Sequence, residues 1–278
     1  MGTPTAPGVA SAAPGAAPSA RYAVRRWQRV VAGLMVPFWS VLPGMGLIDL
    51  QVMFVPDSYY ADSVALMVSW GAFLTFLVAL PFGWFAVRPQ EALPVAVVLA
   101  VGAATLLVGA VLGGQWPPAV VALLVVVSAL PVLPAALHQA RAEGLVLRVR
   151  PALLLLPLAA APTAWRYAAD AFSTAQTDPS REAWQTNGVD HWPVQGSLAI
   201  AVVALLVVLA HWPRAVPVVR AAVAITLGTM ALCWAAFPDT VGSVDSVPVA
   251  AGTLALALLV ALTGKPATAR SSVRRPTT

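Results

Sequence analysis

Charge is scarce in this sequence, and negative charge is the scarcest. Only 10% of the 278 residues are Asp, Glu, Lys or Arg, and 11 of them are acidic; a soluble domain carries about 25% charged residues. Hydrophobic residues make up 59% and the mean hydropathy is +0.82. A chain of this kind cannot clothe itself in a charged surface, which excludes an ordinary soluble domain and points to an integral membrane protein. Cysteine is nearly absent. The single Cys233 lies in an apolar run, so an internal disulfide and thiol redox chemistry within one chain are excluded. His138, His191 and His211 all sit at the edges of apolar runs, which argues against a haem held between spans by two histidines.

Motifs are missing as well. The sequence has no HExxH, no paired-glutamate metal motif, no GxSxG and no phosphate-binding loop, so zinc proteolysis, a nucleophile elbow and an internal ATPase are not expected. Gly196-Ser197 alone is too little for an elbow. No metal site is expected, no motif names a cofactor, and nucleic acid is not an expected partner.

What is present is a series of long apolar runs. A helix needs about 20 apolar residues to cross the hydrocarbon core, and eight runs qualify as candidates: 30–50, 63–86, 94–113, 117–137, 151–172, 196–211, 220–237 and 247–263. The expected fold class is therefore all-α, a polytopic helical membrane protein of about eight transmembrane helices. Before them, residues 1–20 are rich in Ala, Pro and Gly without charge and read as a disordered tail, with no secretory signal pattern. Residues 21–263 form the transmembrane domain, and 264–278 a basic cytoplasmic tail.

Charge sets the orientation. With eight spans and both termini cytoplasmic, the inner segments hold Arg21, Arg25, Arg26, Arg29, Arg88, Arg141, Arg148, Arg150, Arg214, Arg220, Lys265, Arg270, Arg274 and Arg275, which is 14 of the 16 basic residues. Basic residues flanking a span resist translocation. The acids played no part in that choice, yet they fall the other way: only Glu91 and Glu143 lie inside, and nine of 11 lie outside. The cell membrane with acidic loops extracytoplasmic is the expected location. Arg21, Arg25 and Arg29, spaced by four, face anionic lipid at the cytoplasmic side, although orientation alone accounts for them.

Two outer loops resemble each other: FVPDSYYADSV, 54–64, and FPDTVGSVDSV, 237–247. Each ends in Asp-Ser-Val before an apolar run, and DHWPV at 190–194 has the spacing of DSVPV at 245–249. Asp62, Asp190 and Asp245 are thus expected to cap the helices that follow, with Asp57 and Asp239 in turns after proline. A decayed internal repeat is the alternative reading of the match.

Ionisable residues inside a membrane are functional candidates by default, and the fifth run carries them. Arg166 and Asp170, four apart on one helix face, can pair, and Pro157 and Pro162 free carbonyls just below. The competing reading has Arg166 reaching outward in an aromatic belt beside Trp165 and Tyr167. The outer loop 173–192 adds Asp178, Arg181, Glu182, Trp184, Asp190 and His191, and Asp49, Tyr59 and Tyr60 stand on the same rim. The candidate ligand-binding residues are therefore Arg166, Asp170, Asp49, Asp190 and His191. Gly109 and Gly113 make a GxxxG that reads as close helix packing, while no catalytic residue is named by spacing.

Three function classes fit. The first is binding or transport of a small polar or lipid-like molecule reached from outside near Arg166. The second is an accessory subunit that docks a partner membrane protein. The third is an outer-leaflet enzyme on a lipid-linked substrate. Orientation is tested directly: in a Cys233→Ala background, a cysteine at Ser58 should react with an impermeant thiol reagent in intact cells, and one at Ala142 should not. Reversed labelling overturns the arrangement.

Overall fold

The structure is a computed structural model that describes residues 23–55, 60–144, 146–177 and 185–263. The two tails, Asp57, Tyr59, Asp178, Arg181, Glu182 and Trp184 lie outside the described residues. All eight apolar runs are helical, and the described residues contain one two-residue hairpin as their only sheet. In chain order the elements are α1 (Arg26–Ser40), α2 (Gly46–Gln51), α3 (Val64–Ala72), a π-helical stretch (Phe73–Ala79), α4 (Leu80–Val87), α5 (Ala92–Leu112), α6 (Pro117–Ala129), α7 (Leu133–Glu143) and α8 (Pro151–Thr177). Then follow β1 (Gln185–Thr186), β2 (Val189–Asp190), α9 (His191–His211), α10 (Val216–Ala236) and α11 (Val247–Leu262).

Among the described residues four helices are long and apolar enough to cross a membrane: Val64–Val87, Pro89–Leu112, His191–His211 and Pro213–Ala236; α11 is apolar but shorter, and α8 is not one of the four. The pair α6 and α7 makes a fifth if it is one crossing bent by 69°. Two expected spans are therefore broken. The run 117–137 bends where Pro131 and Pro134 lack the N–H that would bond one turn back, and Leu130 N–H turns to Val127 O instead, at 3.2 Å. The run 30–50 divides into α1 and α2 around a cis Leu42–Pro43 bond and Met45 at φ 61°. The ninth helix starts at His191, five residues ahead of the expected 196. Pro193 sits in its first turn, where a missing N–H costs nothing.

The α3–α4 helix is the centre of the molecule, with Phe73, Leu74, Leu77, Phe82 and Phe85 fully buried. α1 lies along its lower half, α8 lies along α9, α10 along α11, and α5 against α6 and α9. The GxxxG of α5 is the contact with α9. A side chain at Gly109 would run into Ser197 Oγ and come within 2.6 Å of Pro193 O, and one at Gly113 within 2.8 Å of Pro193 Cγ. Hydroxyls on the helices bond one turn back, as Ser69 does to Leu66 O at 2.7 Å and Thr226 to Ala222 O at 2.8 Å.

The two similar loops touch. Val241 N–H donates to Asp62 O at 2.7 Å, and Leu66 N–H donates to Val241 O at 3.2 Å. Leu66 is the third residue of α3, so its N–H is one of the four that a helix leaves open at its start. A carbonyl from the distant loop fills that place. The capping expected of Asp62 is therefore corrected: the N-cap position is Ser63, without a side-chain cap bond, and Asp62 contributes its backbone oxygen to the loop pairing. Asp245 is corrected too. Ser246 is the N-cap of α11, accepting from Val249 N–H at 3.4 Å. Ser246 carries its own capping hydroxyl and puts Pro248 in the first turn. Asp190 does cap α9, accepting from Trp192 N–H at 3.0 Å, and here the next residue is a histidine.

Gly242 follows Val241 at φ +80°, and a side chain there would meet Gln195 Oε1 at 2.7 Å and Leu66 Cβ at 3.0 Å. Gly242→Ala should destabilise the protein by about 1–3 kcal/mol. In thermal unfolding of detergent-solubilised protein it melts below wild type, whereas Gly33→Ala, with open space around it, does not.

Candidate functional site

The candidate site has two features. The first is a buried polar chain. α2 turns Asp49 inward until only 3% of it is exposed, and the hairpin lays Thr186 against it, Oγ1 to Oδ2 at 3.5 Å. On the other side Thr186 Oγ1 lies 2.9 Å from His191 Nε2. The threonine hydroxyl donates to Asp49, so its oxygen is left to accept from His191 Nε2–H. Nδ1 is then the free acceptor of a neutral ring, and it has no partner. The imidazole is fully buried and stacks on Trp70 at 5.0 Å between centroids, while the Trp70 indole N–H donates to Gly44 O at 3.0 Å. α2 can approach this closely because Gly46 has no side chain; a Cβ there would lie 2.5 Å from Thr75 Oγ1 of the π-helical stretch. π-turns inside α-helices recur at functional sites.

Beside this chain, Asp190 accepts from Gln115 Nε2 at 2.6 Å as well as from the start of α9. The structure thus brings Asp49 and His191 together through Thr186, and it gives Asp190 a separate partner, Gln115, in the turn between α5 and α6. Arg166 and Asp170 stand apart from all three. Their side chains, 4.0 Å apart, are 87% and 74% exposed, and Trp165 is exposed with them. Tyr167 departs from the expected aromatic belt: it turns inward and donates to Gly242 O at 2.8 Å.

The second feature is a cavity of about 480 Å³ between α8, α9, α10 and α11. Small side chains open it, among them Ala160, Ala164, Ala199 and Gly252, and Met230 and Trp234 close its far wall. The Trp234 indole N–H is buried without a hydrogen-bond partner. Tyr167 packs edge-on against it at 5.1 Å. Sequence reasoning passed over Thr186, Trp70, Gln115 and Trp234. Each is a common residue in an apolar stretch or short turn, and only its distant neighbour gives it a role. Among the described residues no group of three or more His, Cys, Asp or Glu is placed to hold a metal ion.

No protein family, curated protein or solved structure matches this chain. Function therefore has to come from the geometry alone.

Thr186 carries a sharp test. Thr186→Val removes the hydroxyl and leaves a buried carboxylate and imidazole facing an apolar methyl. A loss of about 1–3 kcal/mol follows from orphaning such groups, and Thr186→Ser restores most of it. Chemical denaturation of the purified protein reads the difference; equal stability of the Val and Ser variants contradicts the chain.

Proposed function

We propose that the chain crosses the membrane eight times with both termini cytoplasmic, and that it binds a lipid-like molecule between α8 and α11 with its polar end beside Arg166. The observation that carries the binding site is the cavity, apolar on its walls. An apolar chain fits it, since such walls favour hydrocarbon. Arg166 is three residues beyond Thr163 of the cavity wall, on the neighbouring stripe of α8. Its exposed guanidinium suits an anionic or strongly polar head group outside the cavity.

Hydrogen bonds between segments support the eight crossings. One set joins only inner segments and the inner parts of the expected runs: Gln28 to Pro131 O, Arg29 to Ala86 O, Gln139 to Leu93 N–H and Gln90 O, Arg148 and Arg150 N–H to His211 O and Ala210 O, and Arg220 to Thr263 O. A second set joins only outer segments and the outer parts of the runs: Asn187 to Pro43 O, Thr186 to Asp49, Gln115 to Asp190, Gln176 to Leu112 O, and Val241 with Asp62 and Leu66. A chain that alternates sides at every run produces this division.

Native mass spectrometry of the protein, gently extracted from its own membrane, tests the binding site. The wild type carries a small apolar molecule; Ala164→Phe and Gly252→Leu, which fill the cavity, lose it. Arg166→Ala weakens retention by no more than about fivefold, because an exposed charge contributes at most about 1 kcal/mol. Absence of any bound small molecule, or its retention in both filled variants, refutes the site. A co-purifying protein chain with an empty cavity favours the accessory-subunit reading instead.

A further inference from the structure

The cavity between α8 and α11 has an edge that changes character along its length. α8 lies along α9 and α11 along α10. Between them, Ala159 and Thr163 on one wall and Gly252, Ala255 and Leu259 on the other are exposed, so a hydrocarbon chain can enter sideways from the bilayer. Ala159, Thr163, Arg166 and Asp170 follow one another at spacings of four, three and four residues and so share one exposed edge of α8. The steps along the axis are about 6, about 4.5 and about 6 Å. From the cavity toward the outer face the edge reads apolar, hydroxyl, cation, anion.

The polar groups of that edge are open to a ligand. Arg166 Nε and Asp170 Oδ2 stand 4.0 Å apart, with 87% and 74% of their side chains exposed, which is too far for a hydrogen bond. Thr174 and Thr177, on the same helix, bond one turn back to Asp170 O and Ser173 O at 2.9 and 2.8 Å. The Thr163 hydroxyl makes no hydrogen bond among the described residues. A second cavity, of about 390 Å³ between α1, α3, α6 and the hairpin, gives the contrast. Trp39, Trp70 and Trp116 stand in its wall with Asn187, and no Asp, Glu, Lys, Arg or His lines it, so it offers a head group no counter-charge.

A cation and an anion one turn apart are complemented by a ligand that carries an anion and a cation in the same order. A net-negative head group would set its charge against Asp170 as well as Arg166, and a net-positive one would set its charge against Arg166. The guanidinium fork matches phosphate. A primary ammonium brings three donors to a carboxylate that only accepts, whereas a quaternary ammonium brings none. Resting on the reading that this cavity holds a lipid, we infer that the lipid is a phospholipid whose zwitterionic head group ends in a primary amine, the chemistry of phosphoethanolamine. One acyl chain lies in the cavity and the ester oxygens stand level with Thr163. The phosphate meets Arg166 and the ammonium meets Asp170.

The test gives delipidated full-length protein in detergent equal amounts of phosphatidylethanolamine, phosphatidylcholine and phosphatidylglycerol with the same acyl chains. Native mass spectrometry reads what is bound. Wild type retains phosphatidylethanolamine about threefold to fivefold over each of the others, the scale of one exposed ion pair. Asp170→Asn removes the preference over phosphatidylglycerol, and Arg166→Ala weakens all three. Neither variant changes the binding of diacylglycerol, which has the chains without the head group. Free phosphoethanolamine in excess displaces nothing. Equal binding of the three phospholipids by wild type overturns the inference and leaves the cavity reading standing, as does an unchanged preference in Asp170→Asn. Displacement by free phosphoethanolamine overturns it by making the head group alone the ligand. Absence of every lipid, diacylglycerol included, or its retention in both Ala164→Phe and Gly252→Leu, removes the cavity reading and this inference with it.

Discussion

The constraint behind most of this structure is that a backbone polar group with no water nearby must find its partner inside the chain. The eleven α-helices of the described residues leave many such groups at their ends. Long amide side chains serve them. Gln28, 1% exposed, accepts from Arg25 N–H at 2.9 Å and donates to Pro131 O, the carbonyl at the bend between α6 and α7. Gln139 accepts from Leu93 N–H at the start of α5 and donates to Gln90 O. Gln115 reaches Ala175 O near the end of α8, and Gln176 answers it with Leu112 O at the end of α5. Each amide satisfies a helix end and ties together two elements that are far apart in sequence. The broken helices are affordable because these partners exist.

The same requirement accounts for the loops that look alike. The chain has two ways to close the open N–H groups at the top of a helix: a side chain or a carbonyl from elsewhere. α9 and α11 use side chains, Asp190 and Ser246. α3 uses Val241 O, and Asp62 O receives Val241 N–H in return. The Asp-Ser-Val likeness therefore marks two helix starts that are closed by different chemistry. Tyr167 joins in through Gly242 O, so α8, α3 and the loop before α11 share one knot. Tyr167 also lines the cavity between α8, α9, α10 and α11.

How much was legible in the sequence follows from the range of each interaction. Apolar runs are local, and all eight proved helical. Pro131 and Pro134 marked the bend of the fourth run, although its size depends on packing. The break at 41–45 was hidden because a left-handed Met45 has no sequence signature. Asp190 capped its helix because donor and acceptor are two residues apart, whereas Val241 acts on Leu66 from 175 residues away through a backbone carbonyl, which every residue possesses. The candidate site divided for the same reason. Asp49 and His191 were named from their residue type and position, but the residue joining them is Thr186, 137 residues from Asp49. Arg166 and Tyr167 are neighbours that face opposite ways, and an Ala-rich helix gives little pattern from which to read the difference.

Backbone and side chains differ in how completely their polar atoms are served. Helix ends are served even where the chain must reach across the molecule, yet Trp39 Nε1, Thr75 Oγ1, His191 Nδ1, Gln195 Oε1 and Trp234 Nε1 are all buried without partners. A fold under pressure to satisfy every polar atom would replace such groups with apolar ones at little cost, since removing both partners of a hydrogen bond is nearly neutral. Their position is not scattered. Trp39 and Trp234 each line a cavity, Thr75 sits in the π-helical stretch facing Gly46, and His191 and Gln195 are one turn apart on α9. With no acidic or basic side chain lining either cavity, the charge available to a ligand stays outside them, at the exposed Arg166 and Asp170.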